Sequence, residues 1–325
     1  MINQFRSLHP LNLALLVAYT IFMRMAIFFH LPPELNVEIL ESYTKLFINI
    51  PSDALSAEAN VFFATVIALV QALIFNRIVN NHGLLAKPTY LPALLYVTGT
   101  SLFLQFLVLS PALICNFLII VIIDKFLKLS KTASAMSIMF DVGMLVAIGT
   151  LIYFPFILML LMLWLSLLMY RPFNWREWIS GIIGFLTIFM FVAVFYYWND
   201  KIDRFIDIWQ PLTNKFPSKL QINYDDYLVL IPVVVIMILA VIQLRDNFFR
   251  SFISTRKAFQ MLFFMFLVSI FSFYAKRGVT VSHFMLCVPP GAVLLAYYFS
   301  NAKKRWFYES LFAILVICIQ YFLFV

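Results

Sequence analysis

Apolar stretches long enough to cross a lipid bilayer recur from one end of this chain to the other, and no other feature narrows its fold so far. A membrane helix needs about 20 mostly apolar residues to cover roughly 30 Å of hydrocarbon. Such runs fall near 11–31, 60–79, 89–109, 112–127, 133–154, 156–170, 177–198, 227–243, 258–274, 282–300 and 307–325. Eleven spans in 325 residues leave no stretch for a separate soluble domain. The spacing therefore predicts an all-α, polytopic transmembrane helix bundle, with residues 1–325 as one domain. Pro111 and Pro155 sit in tight connections beside the two shortest runs, so 89–127 and 133–170 are expected to be helical hairpins. Composition agrees, since 64% of residues are hydrophobic and 12% charged, against about 25% charged in soluble domains. That balance excludes a soluble enzyme, a secreted disulfide scaffold and a disordered chain. The net charge of +8 does not indicate a nucleic-acid partner, because the densest basic cluster is only Lys303-Lys304-Arg305.

The few charges set a topology. With the N-terminus inside, fifteen of the 23 Lys and Arg residues fall on inner segments and seven on outer ones, while Arg24 lies within the first span. This is the positive-inside pattern, and it predicts N-in, C-out. Ten acids fall outside, among them Glu34, Glu38, Glu41, Asp53 and Asp203. The first apolar run contains Arg24 and lacks a small-residue cleavage pattern, so it is expected to remain as a membrane helix. Tyr196, Tyr197 and Trp198 at one end of a span, and Trp175, Trp178 and Trp306 at the other, suit the two interfaces.

Two outer connections, about 32–59 and 199–226, are long enough to fold as short interfacial helices. In the second, Ile202, Phe205, Ile206 and Trp209 recur at helical spacing, with Pro211 placed to end the helix. Charges within spans are costly and so carry information. Arg24 lies nearly 20 Å from the start of its span and Asp141 about 12 Å into its own, at about 1.5 Å per residue. The bland reading pairs Arg24 with Asp141, or lets the arginine snorkel to headgroups. The functional reading has the forked guanidinium bind a lipid phosphate. Asp124 is expected to be solvated beside Lys125, and His30 and His283 fall at outer helix ends. Gly181 and Gly184 permit close helix packing. Cys115, Cys287 and Cys318 lie in separate apolar stretches with no metal-like spacing, and no cofactor motif occurs.

Three runs carry a resemblance: Ile114-Cys115-Asn116-Phe117, Phe140-Asp141-Val142-Gly143, and Tyr170-Arg171-Pro172-Phe173-Asn174-Trp175-Arg176-Glu177-Trp178. Through them, residues 60–180 resemble a family of uncharacterised bacterial multi-pass membrane proteins, some labelled carotene oxygenases. Four scattered histidines do not suit that iron chemistry. The layout also resembles integral-membrane glycosyltransferases that take sugars from polyprenyl-phosphate carriers. It does so in its inner N-terminus, its span number and its first outer loop, and in Lys276-Arg277-Gly278 leading to His283 and Pro289-Pro290. That resemblance implies a catalytic base at Glu34, or at Glu38, Glu41 or Asp53. It also implies a phosphate site at Arg24 and Arg277 with His283. The departure is the missing acidic pair near the first span. Such transfer needs a tuned carboxylate on the acceptor and cations on the departing phosphate.

Two readings follow. One is an enzyme of envelope biogenesis in the bacterial inner membrane, acting on a polyprenyl-phosphate-linked sugar. The other is a non-catalytic subunit or scaffold that binds an envelope protein partner among the membrane lipids. A flippase or transporter is a third class, disfavoured because only Arg24 and Asp141 are clearly intramembrane charges and no broken repeat is seen.

Overall fold

The computed structural model describes residues 1–29, 56–213, 224–247, 252–275 and 281–324. Every regular element among them is helical. In chain order they are α1 (Ile2–Phe5), α2 (Pro10–Phe29), α3 (Ala57–Asn81), α4 (Leu91–Gly99), α5 (Pro111–Lys128), α6 (Met136–Ile152) and α7 (Leu160–Tyr170). Then come α8 (Trp175–Trp198), α9 (Ile202–Asp207), α10 (Tyr224–Asp246), α11 (Ile253–Phe271), α12 (Val288–Asn301) and α13 (Arg305–Phe324). Short 3-10 segments join several of them, including Phe154–Met159 and Val281–Cys287. Capping sets some of the starts: the hydroxyl of Ser56 accepts from Ala59 N, that of Ser110 from Leu113 N, and the Asn174 side chain from Arg176 N.

Seven helical stretches among the described residues are long and apolar enough to cross a membrane. The chain is thus a multi-pass, membrane-type helical protein. Met136–Ile152 and Phe154–Tyr170 are apolar but shorter. One expected span is corrected: 89–109 is not a continuous helix. α4 ends at Gly99, and the backbone from 100 to 110 is irregular apart from a 3-10 turn at Leu104–Phe106. α4 is nine residues long and buried from Leu91 through Thr98, so protein rather than lipid surrounds it.

Side-chain and backbone contacts gather the basic segments at one end of the bundle. Tyr90 N donates to Phe5 O, and His82 Nε2 lies 2.8 Å from an Asp124 oxygen. Arg171 donates to the carbonyls of Thr132 and Ala133, and Lys257 Nζ to Tyr170 O. Arg6 reaches Phe299 O at 2.5 Å and Ala302 O at 2.7 Å. Asp124, expected to be solvated, is therefore held by His82 and by Lys128 at 2.5 Å.

The densest packing joins α6 to α8, and glycine makes it possible. A Cβ on Gly143 would lie 2.1 Å from Gly181 O, and one on Gly184 2.1 Å from Phe140 O. Two backbones meet without side chains between them, the arrangement that membrane helices use where lipid offers no hydrophobic drive for association. The nine-residue motif beginning at Tyr170 is explained nearby. Glu177 Oε1 accepts from Ala135 N at 2.9 Å and from Arg171 Nη1 at 3.2 Å, clamping the start of α6 to the start of α8.

The interfacial helix expected in 199–226 is shorter than its pattern. α9 ends at Asp207, before Pro211, and a 3-10 turn follows at Gln210–Thr213. Phe205 and Trp209 turn back onto α8, with Trp209 4.8 Å from the ring of Phe189. Ile202 and Ile206 stay exposed. Most of the first outer loop, with Glu34, Glu38, Glu41 and Asp53, lies outside the described residues, as do His30 and Arg277.

Candidate functional site

The break after α4 places irregular backbone deep in an apolar bundle, where every unpaired N–H and C=O is expensive. Side chains from other helices supply the missing partners. Arg24 of α2 donates from Nη2 to Thr100 O and from Nη1 to Leu107 O, both at 3.3 Å. Asn60 of α3 accepts Leu109 N at 2.8 Å. Ser110 is extended because Pro111 follows, and its hydroxyl then caps α5. Arg24 is 1% exposed. It thus serves as a helix C-cap, its positive charge set against the carbonyl end of α4. Its Nε makes no hydrogen bond among the described residues.

Polar side chains continue from Arg24 across the middle of the bundle. The Tyr96 hydroxyl donates to Gln71 Oε1 at 2.8 Å, and Gln71 Nε2 donates to Leu113 O at 2.7 Å. Tyr19 and Thr98 share a hydrogen bond of 2.9 Å. Asn116 Nδ2 donates to Met285 O at 3.1 Å, which ties α5 to the 3-10 segment Val281–Cys287.

That segment is held from behind by His283. The Ser272 hydroxyl donates to Ser269 O at 2.8 Å, so its oxygen accepts from His283 Nε2 at 2.9 Å. Nδ1 shares a hydrogen bond of 2.9 Å with the Tyr153 hydroxyl. This chain of donors places a proton on Nε2. Tyr153 sits where α6 ends, and it is the residue from which the 3-10 run to α7 begins. Three interrupted helical segments thus meet through side-chain hydrogen bonds.

In front of these two irregular segments lies a cavity of about 370 Å³ lined by Gly99, Phe103, Met237, Phe266, Val281 and Phe284 among others, all apolar. Val234 and Ile238 on its rim are half exposed, so it opens sideways out of the bundle. Val234 lies ten residues from Tyr224 and twelve from Asp246, about 15 and 18 Å from the two ends of α10. The opening is therefore at mid-helix, on a stretch long and apolar enough to cross a membrane.

Of the candidate site residues that the sequence singles out, the structure describes Arg24, His283 and Asp141. Arg24 lies behind the wall of the groove, bound to its backbone. His283 lies behind the second wall. Asp141 does not pair with Arg24: its carboxylate accepts from Lys125 Nζ at 2.6 Å and is one-third exposed. Because α6 begins at Met136, Asp141 is only about 8 Å from the helix start, shallower than the span estimate and close to the lysine. Glu34, Glu38, Asp53 and Arg277 lie outside the described residues, so no geometry attaches to them. Gln71, Asn60 and Tyr96 belong to none of the sequence motifs and Asn116 only to one of the motif runs, although the amides among them, lying within apolar runs, are as visible as charges. Among the described residues no three His, Cys, Asp or Glu side chains converge as metal ligands would.

The model of a family of unknown function, DUF6427, matches residues 38–325. The match takes in both walls of the groove and all three motif runs, and leaves Arg24 and Glu34 outside it. No curated protein and no solved structure matches the chain.

Proposed function

We propose, from the premise that the chain belongs to the family of unknown function DUF6427, that it binds the hydrocarbon tail of a membrane lipid in the lateral groove. One observation carries this reading: an all-apolar cavity of about 370 Å³ that opens at mid-helix. Ligand sites are concave and mostly apolar, and in a bilayer the molecules at such an opening are lipid chains. The irregular walls add to the case. Non-helical backbone at membrane depth is tolerated where it is buried or lines a cavity, and here it does both.

A lipid whose acyl chain carries a diazirine tests the proposal. Photolysis of the reconstituted full chain should label peptides within 95–106 and 281–295 above the lipid-facing surface of α8. Gly291→Leu points a side chain toward Phe266, 3.3 Å from the glycine's built Cβ, and into the groove. It should cut that labelling by at least about fivefold, the factor for roughly 1 kcal/mol of lost contact. Labelling spread evenly over all exposed helices would sink the idea.

The enzymatic form of the reading is glycosyl transfer from a polyprenyl-phosphate carrier in the inner membrane of a bacterium, in service of its envelope. Its tail would occupy the groove and a first-loop acid would act as base. Glu34→Gln removes the base at constant shape. Lost transfer with unchanged groove labelling is the expected result for an enzyme. Unchanged glycans in that variant, beside a defect in a full deletion, point instead to a non-catalytic subunit that presents a bound lipid to an envelope partner.

A further inference from the structure

A second cavity lies further along α10, at the basic end of the bundle. It has about 280 Å³ and sits between the last turns of α10 and the start of α13. Leu239, Ile242 and Phe307 form an apolar floor, and Lys303 and Lys304 line the mouth. Both lysines are exposed, and neither makes an ion pair among the described residues. Gln243 also lines it, and the oxygen of its amide is buried without a partner. Turned over, that amide presents an N–H donor at the same point.

The arrangement has the two halves that a phospholipid needs: an apolar slot and a cationic rim. We propose that this mouth binds the phosphate headgroup of an anionic phospholipid, with the upper part of an acyl chain on the apolar floor. Paired lysines beside a membrane helix attract anionic headgroups at about fivefold per charge. The N-terminus of α13 adds its positive dipole end. Trp306, 83% exposed beside the lysines, is placed for the headgroup level.

Two features act against an anion and set its limits. Asp246 lines the same mouth and repels it. The C-terminal carbonyls of α12 also point to this end, but Phe299 O and Ala302 O are already occupied by Arg6. Among the described residues the site therefore holds one acid against two lysines, which suits a monoanionic headgroup better than a dianionic one.

Native mass spectrometry of the full chain, titrated with phosphatidylglycerol or phosphatidylcholine, tests the site. Wild type should retain phosphatidylglycerol over phosphatidylcholine, and added salt should weaken the preference. The double variant K303Q/K304Q should bind phosphatidylglycerol about 30-fold more weakly, two charges at the factor above. Asp246→Asn should bind it about fivefold more tightly. The variant K87Q/K131Q removes two exposed lysines elsewhere at the same end and should leave affinity within about twofold. Equal losses in the two double variants would overturn the proposal in favour of a diffuse surface field. Displacement of the lipid by millimolar inorganic phosphate would overturn it too, making this a free-phosphate site. Because all four lysines are exposed, glutamine disturbs no packing, and unchanged unfolding temperatures would confirm that.

Discussion

Gly143→Ala is expected to cost about 3 kcal/mol or more and to separate α6 from α8. The added methyl carbon would sit 2.1 Å from Gly181 O and 3.0 Å from Phe185 N, so backbone meets backbone and no rotamer change relieves it. Overpacked cores lose about 1–3 kcal/mol when side chains yield; here whole helices must move. Gly184→Ala meets Phe140 O at the same distance and should behave alike. Gly291→Ala is the control. Its nearest neighbour is the Phe266 ring at 3.3 Å, which shifts easily, so less than about 1 kcal/mol should be lost. Unfolding of the purified chain in mixed micelles, titrated with a denaturing detergent, reads all three. Equal stability of Gly143→Ala and wild type would show that the α6–α8 contact is looser than described.

Arg24→Ala is the second large effect. It strips the partners from Thr100 O and Leu107 O in a buried place, at about 1–3 kcal/mol for each orphaned acceptor. Loss of a costly buried charge offsets part of that, so a net destabilisation of about 2–4 kcal/mol is expected. Arg24→Lys keeps the charge but not the fork, and should fall between the two. A separate readout comes from the groove, because Gly99 and Phe106 on its wall adjoin Thr100 and Leu107, whose carbonyls Arg24 holds. Acyl-chain labelling of residues 95–106 should drop in Arg24→Ala even under conditions where the variant remains folded. Undiminished labelling would show that the wall keeps its shape without the arginine.

Much of this fold was legible because membrane helices announce themselves locally. Residues 177–198 and 60–79 were placed within a few positions of α8 and α3, and the basic segments do gather at one end. The break at Gly99 was not legible for a physical reason. The run from Leu91 to Leu109 is apolar almost throughout, and what ends the helix comes from elsewhere: Arg24, 76 positions before its partner Thr100, and Asn60. Sequence identified Arg24 as expensive, yet it suggested a charged partner where the structure supplies carbonyl groups. Asp141 shows the same weakness in smaller form, since an error of three residues in a helix start changed its depth and its partner. The groove was invisible for a third reason. Its lining comes from several elements, and apolar residues around a cavity look like apolar residues in a filled core.

The Arg24 cap also bears on how the chain is made. Ribosomes add about 5–20 residues per second, and 76 positions separate the guanidinium from its acceptor at Thr100. Once α2 has emerged, Arg24 therefore waits about 4–15 seconds for the carbonyls that will hold it. During that interval a charge sits in a membrane segment at a cost of several kcal/mol, unless the insertion machinery shelters it. α4 faces the converse problem, being too short to span and having its Thr100 carbonyl held by a helix made earlier. The first five helices are then a single unit of assembly: α2 must be kept near the insertion site until α4 and α5 arrive.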